Sequence, residues 1–193
     1  MLAINKISKI GIGTWGIGGL AEHDLKNDDD KQINALAYSF DQGINFIEVN
    51  NWYAQGYLME LIKKAINKSK LNREDIFIVY SIYGYDLNKI NDFNKEVQKF
   101  LDIFETDYID ALEILQFDFK KFDTNKVFNL LIKNLDNKIT RYVSIANASL
   151  NFIEHCYSVF GGKLFSNETH YSFEIRESKK GSYEKPSNPN HKF

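Results

Sequence analysis

The pair of residues best suited to moving a proton is Glu48 and Tyr53, in the stretch FIEVNNWYAQG at positions 46–56. The stretch opens as a buried strand, with Phe46, Ile47 and Val49, and passes into a polar loop carrying Trp52 and Tyr53. A carboxylate near a strand end with a phenol five residues on is a set that general acid–base chemistry can use. The other reactive residues are less promising. His23, His155, His170 and His191 show no HxxH or HExxH spacing, so the sequence predicts no metal site. His155 reads as a surface or core residue and His191 as solvated. His170 would share a strand face with Glu168, where a structural role is expected. Cys156 falls off the main apolar stripe of its helix, and nothing marks it as a nucleophile. Asp107 and Asp110 flank a strand entry in DYIDALEIL, the end opposite to where parallel α/β proteins do chemistry. GIGTWG (11–16) matches G-x-G-x-x-G literally, but no helical pattern begins until about Asp30. A dinucleotide fingerprint needs the helix to start at its third glycine.

The elements that must carry these residues alternate between two periods. NFIEVN (45–50), IFIVYSI (76–82), YIDALEIL (108–115), RYVSIAN (141–147) and KLFSNETHY (163–171) read as strands. Between them lie five amphipathic stripes: Ile33, Leu36, Ala37, Phe40; then Leu58, Leu61, Ile62, Ala65; then Phe93, Val97, Phe100, Leu101, Phe104; then Val127, Leu130, Leu131, Leu135; and Leu150, Ile153, Tyr157, Phe160. DDD (28–30) offers a cap for the first. Strand starts recur about every 30 residues, the length of a βα unit. The sequence therefore predicts a parallel sheet, doubly wound or closed as a barrel, with six βα units at most if the Gly-rich first segment is a strand. A full (β/α)₈ barrel takes about 250 residues, so the expectation is a chain two units short.

With 193 residues, 44% hydrophobic and 26% charged, the chain can bury one substantial core. A net charge of −2 gives no bulk attraction to nucleic acid or anionic membrane. One cysteine rules out an internal disulfide, and a cytoplasmic, reducing setting is expected. The N-terminal apolar stretch is broken by Lys6, Lys9 and five glycines, so no signal peptide is read there, and no 18-residue apolar run occurs. Residues 1–176 form one expected domain; 177–193, polar and holding both prolines, read as a disordered tail.

Six segments in order resemble the aldo-keto reductase family. ISKIGIGTWGIGG is similar to that family's "lGlGtw..GG", and GINFIEVNNWYAQGYLMELIKKAI to "Gi.ffDTA..YG.GxsE..lGkAl". REDIFIVYS resembles "R.dvfi.TK", and TDYIDALEIL resembles "tDYiDlyliH". YVSIANAS resembles "iGvSNfs", and SNETHYSFEIRE resembles ".Nq.eYn...r". The resemblance spans residues 7–177 and implies a TIM-type (β/α) barrel, here incomplete, that binds NADP(H) and reduces a small carbonyl substrate.

In the family a Tyr protonates the carbonyl oxygen, a Lys paired with an Asp lowers the Tyr pKa, and a His orients the substrate. By resemblance the Tyr is Tyr53 and the Asp is Glu48; the Lys falls on Ser81 and the His on Leu115, with Gln116 beside it. The cofactor-facing positions would be Gly13, Thr14 and Trp15 in the opening segment, then Asn147 (after Ala146) and Glu168. Without the ammonium, Tyr53 is expected to stay a neutral phenol, and a charged Glu48 would hold it so.

Three functions are therefore open: a reductase with substitute helpers, for which Tyr80 and His170 are the nearby residues; a non-catalytic binding or assembly module; and a lyase or isomerase using Glu48 and Tyr53 alone. The missing Lys and His favour a chain that is inactive by itself. Unpaired sheet edges predict self-association.

Overall fold

A computed structural model describes residues 1–82, 90–115 and 123–170. The expected tail at 177–193, Gln116 and the side chain of Leu115 lie outside the described residues.

Five parallel strands form one sheet in sequence order: β1 (Phe46–Asn50), β2 (Phe77–Ile82), β3 (Ile109–Leu115), β4 (Thr140–Ala146) and β5 (Leu164–Glu168). Helices return the chain between them: α1 (Asp29–Asp41) leads into β1, and α2 (Leu58–Lys68), α3 (Ile90–Phe104), α4 (Thr124–Asp136) and α5 (Leu150–Phe160) follow β1 to β4. The sheet curls as a partial TIM barrel. The Gly-rich first segment contributes no strand to it. Ile12 makes only an isolated parallel bridge to Ile47, with its N–H on the Phe46 carbonyl (2.9 Å) and its carbonyl accepting from the Glu48 N–H (3.0 Å). Glycines at positive φ (Gly16, Gly18, Gly19) turn the chain away immediately afterwards.

The helices form for the reasons their stripes suggest. Asp28 caps α1 by accepting from the Lys31 N–H at 3.0 Å. Ile33, Leu36, Ala37 and Phe40 are all buried, as are Leu58, Leu61, Ile62 and Ala65 of α2. The fifth stripe is turned from the expected face. In α5 Cys156 and Phe160 are buried, while Leu150 and Tyr157 are 51% and 63% exposed. Phe152, Cys156 and Phe160 make an i, i+4, i+8 row of their own that packs on the core, with Ile153 of the expected stripe partly buried beside it. Cys156 is thus a core residue, contrary to the sequence expectation.

Strand parity sorts the sheet residues into two layers. Ile47, Val49, Ile78, Tyr80, Leu112, Ile114, Val143 and Ile145 join the main core beneath the helices. Phe46, Phe77, Val79, Ala111, Tyr142 and Phe165 form a second cluster on the inner face, closed from below by Leu2 and Ile7. Phe77 and Phe165 lie 4.6 Å apart, ring to ring. At the N-terminal end of the strands, Asp110 is fully buried between Arg73 (2.8 Å) and Arg141 (2.6 Å). Arg73 also donates to the Ile76 carbonyl, and Arg141 to that of Leu2. Asp110 is structural, as its place at the strand entry implied. Among the described residues no helix is long and apolar enough to cross a membrane.

Candidate active site at the C-terminal ends of the strands

The parity that turns Phe46, Phe77, Ala111 and Tyr142 inward also turns inward the residues two positions on: Glu48, Val79, Glu113 and Ser144. Register then aligns Asn50 with Ser81, Ser81 with Glu113, Glu113 with Ser144, and Ser144 with Ser166. One level of the barrel interior is therefore polar across all five strands. Ser81 and Glu113 lie side by side on neighbouring strands, both buried. The Ser144 and Ser166 hydroxyls meet at 2.9 Å. Asn50, Ser81, Glu113 and Ser144 are all buried.

Three carboxyls share this interior: Glu48, Glu113 and Glu168. Burial pushes Glu48 well above the usual carboxylate range, with Glu168 and Glu113 adding to the effect, while the nearby Thr14 backbone pulls the other way. Glu113 is raised to about 8, first by burial and then by Glu168, with the neighbouring Ser81 hydroxyl opposing. Glu168 is raised by burial of its carboxyl, although the residue sits at an exposed strand end; His170 draws it back. At neutral pH Glu113 thus favours its acid form, and Glu48 and Glu168 are shifted in the same direction. Burial works against the negative charge at Glu48 that was expected to hold back Tyr53. Among the described residues no group of three His, Cys, Asp or Glu side chains has the geometry to hold a metal ion.

Tyr53 stands in the loop after β1, half-buried, its ring edge-on to Trp15 at 4.8 Å. Trp15 in turn stacks on Trp52 at 5.6 Å, so the Gly-rich segment and the β1 loop meet through three aromatic rings. The two residues after Tyr53, Ala54 and Gln55, adopt left-handed φ of 46° and 56°. Such a backbone costs a non-glycine residue roughly 1–2 kcal/mol. Hydrogen bonds from their N–H groups to the Leu20 (2.6 Å) and Ala21 (3.2 Å) carbonyls hold it. Gln32 of α1 anchors the same segment by accepting from the Gly18 N–H (2.8 Å) and donating to the Gly16 carbonyl (3.1 Å).

The structure thus gathers most of the residues the sequence singled out. Glu48, Ser81 and Glu168 face one interior, and Thr14 and Trp15 lie beside Glu48 and Tyr53. Gly13 is exposed in the same turn. Asn147 follows β4 at φ 55°, its N–H donating to the Glu168 carbonyl at 2.7 Å. Leu115 closes β3.

Tyr80 is a correction. Being next to inward Ser81, it points outward, where its ring packs on Phe100 at 4.7 Å and its hydroxyl reaches Glu96 at 3.3 Å. It cannot help Tyr53. His170 lies two residues past the end of β5, close enough to act on Glu168. His23 stacks on Tyr57 at 3.8 Å, away from the carboxyl group of residues. Burial pushes the Cys156 thiol up to about 12, which leaves it inert. Glu113 is the residue the sequence reading missed. A lone carboxylate at an alternate position of the otherwise apolar run ALEIL was the available signal.

Comparison with known proteins agrees with this fold. The aldo-keto reductase YhdN of Bacillus subtilis (strain 168) is 29% identical over 113 residues, covering 55% of this chain and 34% of its own. The structure of the thermostable aldo-keto reductase Tm1743 in complex with the inhibitor epalrestat superposes with a TM-score of 0.77 at 25% identity, over 89% of this chain and 61% of that one. An aldo/keto reductase from Klebsiella pneumoniae, in complex with NADP and acetate, gives a TM-score of 0.69 at 20% identity, over 86% of this chain and 55% of that one. The chain therefore spans about a third of the length of the curated relative and little more than half that of such structures. The model of the aldo/keto reductase family matches residues 9–182. With its parallel strands curled as a partial barrel and a family match over most of its length, the chain belongs to the aldo/keto reductase family.

Proposed function

We propose that this barrel end is a nicotinamide and carbonyl site whose proton-transfer machinery has been dismantled, so that the chain by itself turns over carbonyl substrates poorly or not at all. The observation that carries the reading is the buried serine at position 81, paired in register with Glu113. Where the family resemblance places an ammonium that would stabilise the phenolate, there is a hydroxyl beside a carboxyl. An unperturbed phenol has a pKa of about 10, and each unit of lowering needs about 1.4 kcal/mol of preferential stabilisation of the anion. A serine hydroxyl beside a carboxyl does not supply that.

The residues present fit NADP(H) in part. Thr14 is fully buried and its hydroxyl has no partner among the described residues, leaving a polar group beside Glu48 for a ligand to satisfy. Thr14, Trp15, Asn147 and Glu168 would lie along the nicotinamide end. Three interior carboxyls are less welcoming to a polyanion than the family's ion pair. When bound, the cofactor supplies hydride; this chain would orient the carbonyl beside the Trp15–Trp52–Tyr53 group and offer the Tyr53 hydroxyl as a hydrogen-bond donor.

The test is NADPH titration followed by fluorescence of the cofactor and of Trp15 and Trp52, then aldehyde-dependent NADPH oxidation. Loss of tuned acid catalysis costs roughly 10²–10⁴ in rate. The expected result is that Tyr53→Phe leaves any residual rate unchanged. A rate that drops in Tyr53→Phe by that factor would instead make this an active reductase with Tyr53 as its acid.

A second copy of this chain is the partner the fold favours. Among the described residues nothing pairs with the outer edge of β5, and α5 beside it exposes Leu150 and Tyr157. Open edges of this kind pair with other chains. Light scattering is expected to give a mass above that of one chain; a clean monomer over a tenfold concentration range would sink this assignment.

A further inference from the structure

Segment 16–27, between the Gly-rich turn and α1, buries little apolar surface of its own. Ile17 packs on the core, but Leu20 and Leu25 are exposed. Polar and ring contacts hold the rest, and they converge on Tyr57, the residue before α2. The Tyr57 hydroxyl donates to Asp29 Oδ2 at 2.7 Å. The other Asp29 oxygen accepts from the Asn27 side-chain amide at 2.7 Å, and the same amide reaches Gln32 Oε1 at 2.8 Å. An antiparallel bridge between Gly19 and His23 folds the segment back on itself, and the Asp24 N–H donates to the Gly18 carbonyl at 2.9 Å. That fold lays the His23 ring on the Tyr57 ring, 3.8 Å apart and 25° from parallel. Gly18 passes so close beneath that a Cβ there would come within 3.1 Å of Tyr57 Cδ1.

We propose that Tyr57 and Asp29 are positioning residues for the barrel mouth: their bond clamps segment 16–27 between α1 and the Tyr53 loop and so fixes Trp15 against Tyr53. The clamp reaches Trp15 and Tyr53 by separate routes. Trp15 immediately precedes the clamped segment, and its stack on Trp52 (5.6 Å) and edge contact with Tyr53 (4.8 Å) are ring contacts that a small displacement would break. The loop is reached through the Leu20 carbonyl, which accepts from the Ala54 N–H at 2.6 Å and holds the left-handed turn directly after Tyr53. A hydrogen bond from a phenol to a carboxylate is charge-assisted and stronger than a neutral one. Asp29 is held below the ordinary carboxylate range, first by Asn27 and then by Tyr57, which agrees with that bond. The clamp concerns the shape of the mouth alone, so it stands or falls apart from the nicotinamide and carbonyl reading.

Tyr57→Phe and Asp29→Ala in the full chain test it, the first keeping the ring on His23 and removing only the hydroxyl. One readout is amide hydrogen exchange at Ala54, whose acceptor is in the clamped segment, against Ile109, which bonds to the Ile139 carbonyl at the far end of the strands. The other is near-ultraviolet circular dichroism in the tryptophan band, read against Trp15→Phe, which removes the Trp15–Trp52 stack outright. In both variants Ala54 should exchange about tenfold faster, the scale of one lost hydrogen bond to a charged group, with Ile109 unchanged. The tryptophan signal should fall toward that of Trp15→Phe. The double variant should exchange no faster than Asp29→Ala, since both changes remove the same bond. If Ala54 or the tryptophan signal keeps its wild-type value in either variant, the bond does not position the mouth. If Ile109 accelerates as much as Ala54, the two residues carry general stability and the clamp is overturned.

Discussion

Asp110→Asn is expected to destabilise the protein by about 3–5 kcal/mol, measured as the shift in urea midpoint at unchanged m-value. Asp110 is fully buried and accepts from two guanidinium groups at 2.8 and 2.6 Å. Arg73 and Arg141 are themselves mostly buried, with side chains 10% and 19% exposed. An amide keeps the shape but not the charge, so two guanidiniums would face each other across a neutral group. Their other contacts do not release them: Arg73 sits over the Tyr108 ring at 4.9 Å, and Arg141 over Tyr142 at 5.5 Å. The Asp110 carboxylate also accepts from the Ile78 N–H at 3.2 Å, so β2 and β3 would loosen together. A loss under 1 kcal/mol would mean that water or side-chain movement rescues the arginines, and that the triad is not what ties the strand entries.

Glu113→Gln is expected to do the opposite, and only at high pH. The folded protein holds Glu113 at about 8, whereas the unfolded chain titrates near the ordinary 4.5. Between those values the folded state binds the extra proton, so its stability is greatest below about 4.5 and falls as pH rises toward 8. A shift of that size corresponds to at most about 5 kcal/mol, since each pH unit is worth about 1.4 kcal/mol. Part of it belongs to the pair with Glu168. The glutamine cannot ionise, so its stability curve should be flat over this window and cross that of the wild type. Denaturant unfolding at pH 5, 7 and 9 checks it. A variant less stable than the wild type at pH 9 would show that Glu113 is not strained by ionisation.

Much of the architecture was readable in the sequence, because period-2 runs and helical stripes report burial directly. Each described strand lies within its expected run, apart from a one-residue offset in β4, and four stripes face the core as written. The Tyr53 loop was found because a strand end rich in polar and aromatic residues is unusual. Other features depend on tertiary facts. Leu150, Ile153, Tyr157 and Phe160 form as good a stripe as Phe152, Cys156 and Phe160, and only the sheet decides between them. The Gly-rich segment looks extended, but its glycines bend it after a single bridge at Ile12. Tyr80 could have been excluded earlier, since parity puts it opposite Ser81. Glu113 stood in plain sight, at a position where the family motif carries an apolar residue. Its importance became visible when register aligned it with Ser81 and Ser144.

The small bridge at Ile12 bears on the proposed pairing of copies. It occupies the outward Phe46 carbonyl and Glu48 N–H of β1, so among the described residues β5 has the more open edge. Head-to-tail stacking would need both edges of each copy and would propagate without end. If copies pair through β5, as proposed, the two strands would meet antiparallel across a two-fold axis. Such an assembly would close at two instead of growing into a filament.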